Sequence, residues 1–490
     1  MVEPTVALES PAPAATSAPA PKGLALRSDE VILFLGDELI DGGDPRTSTN
    51  FPFLVESFLT VRYPELRLRY VHAGWRGDTV GRALLRLDRD VLSRKPTTVV
   101  ICLGLNDPEY LPFSEERLGQ FKRDLGTLVR RIEEAGARVW LISPPAVRED
   151  LGQAARITRG GQPTIVNLRG ISYNATLARY AEVVRATATE AGMGFVDWYA
   201  ASQKMGPTAR PATGPWSDGR LPPPQGHTLI AAELLRAWGA QPIEVTIEMH
   251  WNRPGALVKS HLGPSRSLPG QIDAGGQRIL LLQGLPLPWP MPGGKTGALQ
   301  PEGEAANLCR FVLRVANPPA RGVKLHLDGS DAGPGSTLTL TASQLRRGFN
   351  LASTEVLRTV RPAQDLLQTM GLKNFYQYST WRRQELNPTR EPELADAQRQ
   401  LVSALYAYAA GYERIVWRMP KTFDTRLVLM EAVPPEQVPV APPIGTRPAM
   451  PTTLPTSAPA TAPATLPASA PATVPATGPA ASQPASQPHS

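Results

Sequence analysis

Short apolar runs alternate with helix-period segments through the first half of the chain. Two helix-period segments are clear: Ser114–Ala135, with Ser114 as the expected N-cap and Gly136 as the stop, and Tyr173–Ala191, which ends at Gly192. The apolar runs predict strands at Val31–Leu35, Leu66–His72, Thr98–Leu103, Arg138–Ser143 and Gly194–Trp198. This alternation predicts an α/β fold, in which helices cover both faces of a parallel sheet. In such sheets a ligand binds beyond the carboxyl ends of the strands.

The pattern of apolar positions changes after about residue 242. Gly/Pro turns separate shorter strands, which predicts a small antiparallel β unit with strands at 243–249, 279–285, 310–316 and 322–327. Two helix-like segments follow, at about 360–372 and 391–413. The basic and aromatic stretch between them, NFYQYSTWRRQ, is interpreted as a helix–helix packing surface.

Both ends of the chain are low-complexity. The 52 prolines of this 490-residue chain are unevenly spread, and residues 1–28 are rich in Pro, Ala, Ser and Thr. Residues 433–490 hold no aromatic residue and carry only Glu436 and Arg447 as charges. Such segments bury too little apolar surface to offset the entropy lost on ordering, so both are predicted to be disordered.

These signals predict five regions along the chain. They are a disordered segment at 1–28, an α/β domain at 29–240, a small antiparallel β domain at 241–353, a helical accessory region at 354–432 and a disordered tail at 433–490. Pro/Ala/Thr tails are frequent in secreted or envelope-exposed chains, so we expect a secreted or periplasmic location. The N-terminus shows no basic start before an apolar core, so no signal peptide is recognised. No stretch approaches the roughly 20 apolar residues of a transmembrane helix.

Charge and cysteine content exclude several function classes. The formal charge is +7, but Lys and Arg are scattered and no nucleic-acid motif accompanies them, so no nucleic-acid partner is expected. The two cysteines, Cys102 and Cys309, make neither a disulfide framework nor a metal site. Without a Walker-type loop, a dinucleotide fingerprint or a metal-ligand cluster, we expect no cofactor and no metal.

Polar motifs follow the predicted strands at the edge where a ligand would bind. In chain order they are Gly36-Asp37-Glu38, Gly74-Trp75-Arg76-Gly77-Asp78-Thr79, Gly104-Leu105-Asn106-Asp107, and Asp218-Gly219-Arg220-Leu221 followed by Gly226-His227. One such fragment is weak evidence, whereas the ordered set is specific.

The ordered set resembles the SGNH hydrolases, also called GDSL esterases, over about residues 31–240. The resemblance implies a flavodoxin-like, five-stranded parallel sheet between helices and an activity on ester (acyl or acetyl) bonds. In that family the first motif ends in a nucleophilic serine and the last reads Asp-x-x-His. The resemblance assigns Gly77 and Asn106 to the oxyanion hole and Asp218 to the acidic position of the catalytic triad.

Two positions of this sequence depart from the family pattern. Glu38 occupies the nucleophile position and Leu221 the position of the base. Serine attack needs a hydroxyl and a base that takes its proton, and leucine accepts no proton. His227 lies nine residues after Asp218 rather than three, where a structural role is expected. Asp218 is also interpretable as the cap of an Asp-Gly turn.

Glu38 has two interpretations at this position. A helix N-terminus near the Gly77 amide and the Asn106 side chain is an anion-binding environment, so the carboxylate is expected to occupy the former oxyanion hole. Alternatively, Glu38 acts as a general base or a carboxylate nucleophile.

Three functions therefore remain open at the level of sequence. The first is a non-catalytic protein that binds an acylated glycan or another ester-bearing molecule. The second is an active ester hydrolase or deacetylase that uses Glu38, and the third is a structural envelope protein. The loop residues Trp75, Arg76, Tyr110 and Trp216 are interpreted either as a sugar-binding cleft or as ordinary packing.

Overall fold

The structure is a computed structural model. It describes residues 23–42, 49–147, 154–159, 162–167, 171–204, 222, 224–294, 297–298, 303–329, 332, 337–386 and 388–432.

The first half folds around a five-stranded parallel sheet. The strands of this half are β1 Val31–Gly36, β2 Arg69–Gly74, β3 Thr98–Cys102, β4 Arg138–Ile142, β5 Ala154–Arg159, β6 Gln162–Asn167 and β7 Gly194–Val196. The sheet has the order β2-β1-β3-β4-β7, and β5 and β6 form a separate hairpin. All five predicted strands are therefore confirmed, with β2 shifted toward its carboxyl end.

Helices cover both faces of this sheet, as predicted. Their bounds are α1 Glu38–Asp41, α2 Phe51–Arg62, α3 Val80–Leu85, α4 Leu87–Asp90, α5 Glu115–Glu134, α6 Tyr173–Glu190, α7 Trp198–Gln203 and α8 Pro224–Ala237. Successive side chains of a strand point to opposite faces. Ile32 and Phe34 of β1 join one hydrophobic cluster, and Leu33 and Leu35 join another. A strand that is apolar at every position is buried on both sides, which explains the unbroken run VILFL.

Sequence signals at the helix ends are confirmed. The Ser114 hydroxyl caps α5 by accepting from the Arg117 amide at 3.3 Å. Gly136 follows α5 with a φ of 86° and Gly192 follows α6 with a φ of 63°, both in the left-handed region that glycine adopts without strain.

The β unit is larger than predicted. Its elements are β8 Ile243–His250, β9 Ala256–Ser260, β10 Gly263–Leu268, β11 Gly270–Ile272, β12 Arg278–Pro286, β13 Gly293–Gly294, β14 Gly297–Ala298, β15 Cys309–Ala316, β16 Val323–Asp328, β17 Leu338–Leu340, α9 Ala342–Arg347, β18 Phe349–Asn350 and, later in the chain, β19 Thr422–Glu431. They form one five-stranded sheet in the order β10-β9-β8-β15-β18 and another in the order β11-β12-β19-β16-β17, and β13 pairs with β14 separately.

Two features of this unit correct the prediction. It is not antiparallel throughout, because β8 and β15 pair in parallel with Ile243 opposite Cys309. Its last strand, β19 (Thr422–Glu431), comes after the accessory helices and lies between β12 and β16. The region 354–432 is therefore not wholly helical.

The accessory helices are longer than predicted. They are α10 Glu355–Arg358, α11 Arg361–Ser379 and α12 Pro392–Arg418. The basic and aromatic stretch is not a separator, because it forms the end of α11 and a π-helical turn, Thr380–Glu385.

One hydrophobic cluster joins the α/β domain to the β unit and α11. Polar contacts reinforce the junction: the Trp289 indole donates to Leu54 O at 3.1 Å, and the Ser57 hydroxyl donates to Pro290 O at 2.9 Å. The N-terminal prediction also needs correction, because residues 23–28 are ordered and Leu26 is fully buried among this cluster. Within the described ranges, none of the helices combines the length and the apolar character that a membrane crossing requires.

Candidate functional site

The first strand end places Glu38 in the interior of the domain. β1 stops at Gly36, and Asp37 caps α1 by accepting from the Leu39 amide at 3.0 Å. Glu38 occupies the first turn of α1 and is only 4% exposed. A buried carboxylate needs hydrogen-bond donors, so its partners define the site.

The second strand end supplies the first donor. The backbone amide of Gly77 donates to Glu38 Oε2 at 2.8 Å. Gly77 has a φ of 74°, which a residue with a side chain rarely adopts. Gly74 lets this loop approach α1, since a Cβ there would lie 2.3 Å from the Asp41 amide nitrogen.

The third strand end supplies the second donor. Asn106 Nδ2 donates to the same oxygen, Glu38 Oε2, at 2.9 Å and lies 3.2 Å from Asp78 O. The Tyr110 hydroxyl donates to Asn106 Oδ1 at 2.8 Å, which fixes the orientation of the amide. Tyr110 in turn stacks on Tyr173, with ring centroids 4.9 Å apart.

Arg86 ties the strand ends together beneath the site. Its guanidinium donates twice to Asp78 Oδ2, at 2.9 and 2.6 Å. It also donates to Ala73 O at 2.8 Å, at the end of β2. Its remaining contacts are Gly36 O at 3.5 Å, at the end of β1, and Asp90 Oδ2 at 3.4 Å. The sequence analysis did not single out Arg86, because nothing in its local pattern distinguishes it from a surface arginine.

The site is rich in buried carboxyl groups. Burial, and then the neighbouring Glu38 carboxylate, raise the pKa of Asp37 well above its usual range. Burial likewise raises the pKa of Asp107 to about 7. The Val80 amide, which donates to Asp107 Oδ1 at 2.9 Å, opposes this shift. Burial raises the pKa of Asp78 as well, although the Arg86 guanidinium opposes this. The raised pKa values favour the protonated, neutral forms of these carboxyl groups beside Glu38.

Only some of the other predicted site residues lie within the described ranges. Asp218, Leu221 and Trp216 lie outside the described residues. His227 lies near the start of α8, where burial lowers its pKa to about 4, so its imidazole is neutral at pH 7. Within the described ranges, no group of three or more potential metal-ligating side chains comes together.

The accessory helices form one edge of the site, which the sequence analysis missed. Arg382 donates to Asp41 Oδ1 at 3.2 Å and also to Gly74 O. Tyr378 donates to the same oxygen of Asp41 at 3.2 Å. Asp41 ends the short helix that begins with Glu38, and Gly74 begins the loop that carries Gly77. The same segment therefore contacts both the helix that carries Glu38 and the loop that carries Gly77.

Trp75 has a packing role at this edge. The Arg382 guanidinium carbon lies 3.7 Å from the centre of the Trp75 ring, and the Trp75 and Trp381 rings meet edge to face at 6.0 Å. Arg76 is exposed beside it. The signal for this edge was the stretch NFYQYSTWRRQ, whose arginines beside aromatic residues indicate cation–π contacts.

The parallel sheet has the order β2-β1-β3-β4-β7, and at its carboxyl edge the Glu38 carboxylate accepts from Gly77 and Asn106. This combination defines an α/β domain of the hydrolase type. Residues 34–229 match the GDSL-like Lipase/Acylhydrolase family. The domain at residues 34–229 is thus a member of the SGNH/GDSL hydrolase superfamily, as its motifs predicted.

Two similarities describe its relation to known proteins. An acetylxylan esterase of Geobacillus stearothermophilus is 29% identical over 231 residues, which cover 44% of this chain and 97% of the relative. The solved structure of a gut microbial diltiazem-metabolizing enzyme superposes with a TM-score of 0.56 at 18% identity, over 84% of this chain and all of that one. The second similarity extends through the β unit and the accessory region and concerns the fold alone.

Proposed function

We propose that the SGNH domain is a non-catalytic member of its superfamily that binds an acylated glycan. The observation that carries this proposal is the position of Glu38, whose Oε2 accepts from both Gly77 N and Asn106 Nδ2. These are the two groups that the family resemblance assigns to the oxyanion hole. To bind at these two donors, an ester carbonyl oxygen would have to displace the Glu38 carboxylate, whose hydrogen bonds they already satisfy.

Proton transfer supports the same proposal. The family mechanism takes a proton from serine to histidine, and here Glu38 and Leu221 hold those two positions. Glutamate needs no base, but an attack would require Glu38 to leave both donors, and these donors are then needed for the oxyanion. The geometry therefore favours binding over the alternative of a Glu38-dependent hydrolase.

The acetylxylan esterase similarity suggests the chemical class of the ligand. An acetylated polysaccharide combines an ester with a sugar face, and Arg76 is exposed on the loop that carries Gly77. We place the acyl group near the strand ends and the sugar along that loop. Such a ligand is also compatible with the secreted or envelope location that the Pro/Ala/Thr tail suggests.

A pair of assays on purified protein tests the proposal. Calorimetry with acetylated xylooligosaccharides should show binding, and the deacetylated oligosaccharides serve as the matched control. Hydrolysis of p-nitrophenyl acetate should stay at the background rate. Turnover by the wild-type protein that is lost in both Glu38→Gln and Asn106→Ala would establish the hydrolase instead. Absence of any binding would favour a purely structural protein.

Restoring the two missing groups provides a complementary test. The double variant Glu38→Ser with Leu221→His should gain esterase activity, because both oxyanion donors would be released for the substrate. Glu38→Ser alone, which lacks the base, is the control and should stay at background. A double variant without activity would show that the site differs from an esterase in more than these two positions.

A further inference from the structure

The outer face of α12 carries apolar side chains at a regular interval. Every seventh residue is large and apolar, and their exposed fractions are 56% for Leu394, 45% for Leu401, 53% for Tyr408 and 50% for Ile415. The side chains that α12 buries, Ala409, Glu413 and Val416, lie on a different face. A seven-residue apolar repeat on an exposed helix is the pattern of a coiled-coil seam.

Small residues alternate with these large ones along the same seam. Ala397, Ala404 and Gly411 each follow a large residue by three positions, as the d position of a heptad follows the a position. Ala397 and Ala404 are exposed and Gly411 is half-buried. The seam thus presents ridges and hollows in turn over much of a 27-residue helix, about 40 Å long.

We propose that α12 pairs with α12 of a second copy of this chain as an antiparallel coiled coil. In this register the two-fold axis passes between Val402 and Ser403. Large residues then face small ones in every central layer, which are Leu394 on Gly411, Leu401 on Ala404 and Tyr408 on Ala397 of the second copy, together with their symmetry mates. Ile415 falls one layer further out, opposite Arg390 of the second copy.

Size complementarity selects the antiparallel arrangement. In a parallel pair the same residues would meet at each layer, so Gly411 would leave a gap and Tyr408 would meet Tyr408. Tyr408 is also held in place on its own chain, because its ring packs edge to face against Tyr376 at 4.8 Å and against Tyr412 at 5.3 Å. An anchored aromatic side chain loses little entropy when it is buried in an interface.

Charge complementarity selects the same partner and the same direction. Glu393 and Arg414 are both exposed and flank the seam at opposite ends of α12. Antiparallel pairing brings each Glu393 beside Arg414 of the second copy, at two symmetric places. In a parallel pair each of these positions would instead lie beside the residue five positions further along the second copy, so Glu393 would face Gln398 and Arg414 would face Met419, and neither charge would meet an opposite one. A second copy of α12 therefore matches the surface in shape and in charge.

The oligomeric state of the full chain tests this interface. Sedimentation equilibrium should show a concentration-dependent dimer, and Leu401→Glu should raise its dissociation constant by at least about a hundredfold. Ser403→Glu adds the same charge to the same helix outside the seam and should change the constant by less than about threefold. Circular dichroism should show unchanged helix content in both variants, since both side chains are exposed.

Charge reversal tests the register. Glu393→Arg and Arg414→Glu should each raise the dissociation constant by about tenfold, and the double variant should return it to within about twofold of wild type. A full chain that stays monomeric at every concentration would overturn the proposal. So would a dimer that survives Leu401→Glu, or single charge reversals whose effects add in the double variant.

Discussion

Arg382 lies over the ring of Trp75, with its guanidinium carbon 3.7 Å from the ring centre. The two residues are far apart in the chain, and their contact joins the accessory helices to the loop that carries Gly77. Arg382 also donates to Asp41 on the helix of Glu38. The site therefore depends on a segment that lies outside the family-matched residues 34–229.

Replacing Arg382 should loosen this edge. Arg382→Ala removes the cation that pairs with the largely buried Asp41 carboxylate, and it removes the cation–π contact with Trp75. We therefore expect a loss of about 2–3 kcal/mol in the free energy of unfolding. Arg382→Lys should recover only part of it, because an ammonium lacks the planar face. Denaturant unfolding followed by tryptophan fluorescence measures both. Arg399→Ala, which breaks an exposed pair with Asp396, is the control, and a loss as large there would contradict this account.

The buried pair Lys373 and Glu56 should respond asymmetrically to substitution. Both side chains are almost fully buried and form a salt bridge between α11 and α2, and Asn374 Nδ2 donates to Glu56 Oε2 at 2.9 Å. Lys373→Met leaves the buried Glu56 carboxylate without its cation and should lower the free energy of unfolding by about 3–5 kcal/mol. The double variant Glu56→Leu with Lys373→Met should recover most of that loss. Urea unfolding of the set measures this, and a double variant less stable than Lys373→Met would refute the asymmetry.

The carboxyl group of Asp107 should make stability depend on pH. Burial raises its pKa in the folded state from 3.8 to about 7, so the folded state holds this proton more tightly than the unfolded state does. Its contribution to stability is therefore lost as the pH rises from about 4 to about 7. Asp107→Asn removes this titration and keeps an acceptor for the Val80 amide. The free energy of unfolding of the variant minus that of wild type should therefore be larger at pH 8 than at pH 5, by on the order of 2–4 kcal/mol. Unfolding curves at both pH values test this, and parallel pH dependences would exclude it.

Glu38 should stabilise the fold as an acceptor. Glu38→Ala leaves the amides of Gly77 and Asn106 without their shared acceptor and should cost about 1–3 kcal/mol. Glu38→Gln retains a carbonyl oxygen and should cost less. It also removes the negative charge that raises the pKa of Asp37, which offsets part of the loss. Thermal unfolding compares the two variants, and an alanine variant as stable as wild type would show that the donors find other partners.

Local rules explain what the sequence predicted well. The five apolar runs became strands because each is bounded by turn residues and has the length that a buried strand needs. The ends of α5 and α6 followed from Ser114, Gly136 and Gly192, whose capping roles depend only on neighbouring backbone. The meeting of Glu38 with Asn106 followed from topology, because parallel strands end at one edge.

Long-range contacts explain what the sequence did not predict. The parallel pairing of β8 with β15 depends on which strands meet, and alternating apolar patterns do not encode the partner. Arg86 became central only because three chain segments bring carbonyl and carboxylate oxygens to it. The packing of Arg382 on Trp75 needed the position of α11, which no local pattern supplies. The roles of Asp218 and Leu221 stay predictions.

The position of β19 has a consequence for how the accessory helices are attached. Because β19 lies between β12 and β16, the chain enters the helices from one sheet and returns to the centre of the other. The accessory helices are thus an insertion whose two ends are both attached to the sheets, by β18 and by β19. Cutting the chain before Thr422 would leave β12 and β16 with unpaired edges facing each other, which is a template for aggregation. Removing the helices and keeping both sheets intact would therefore take an internal deletion that retains β19.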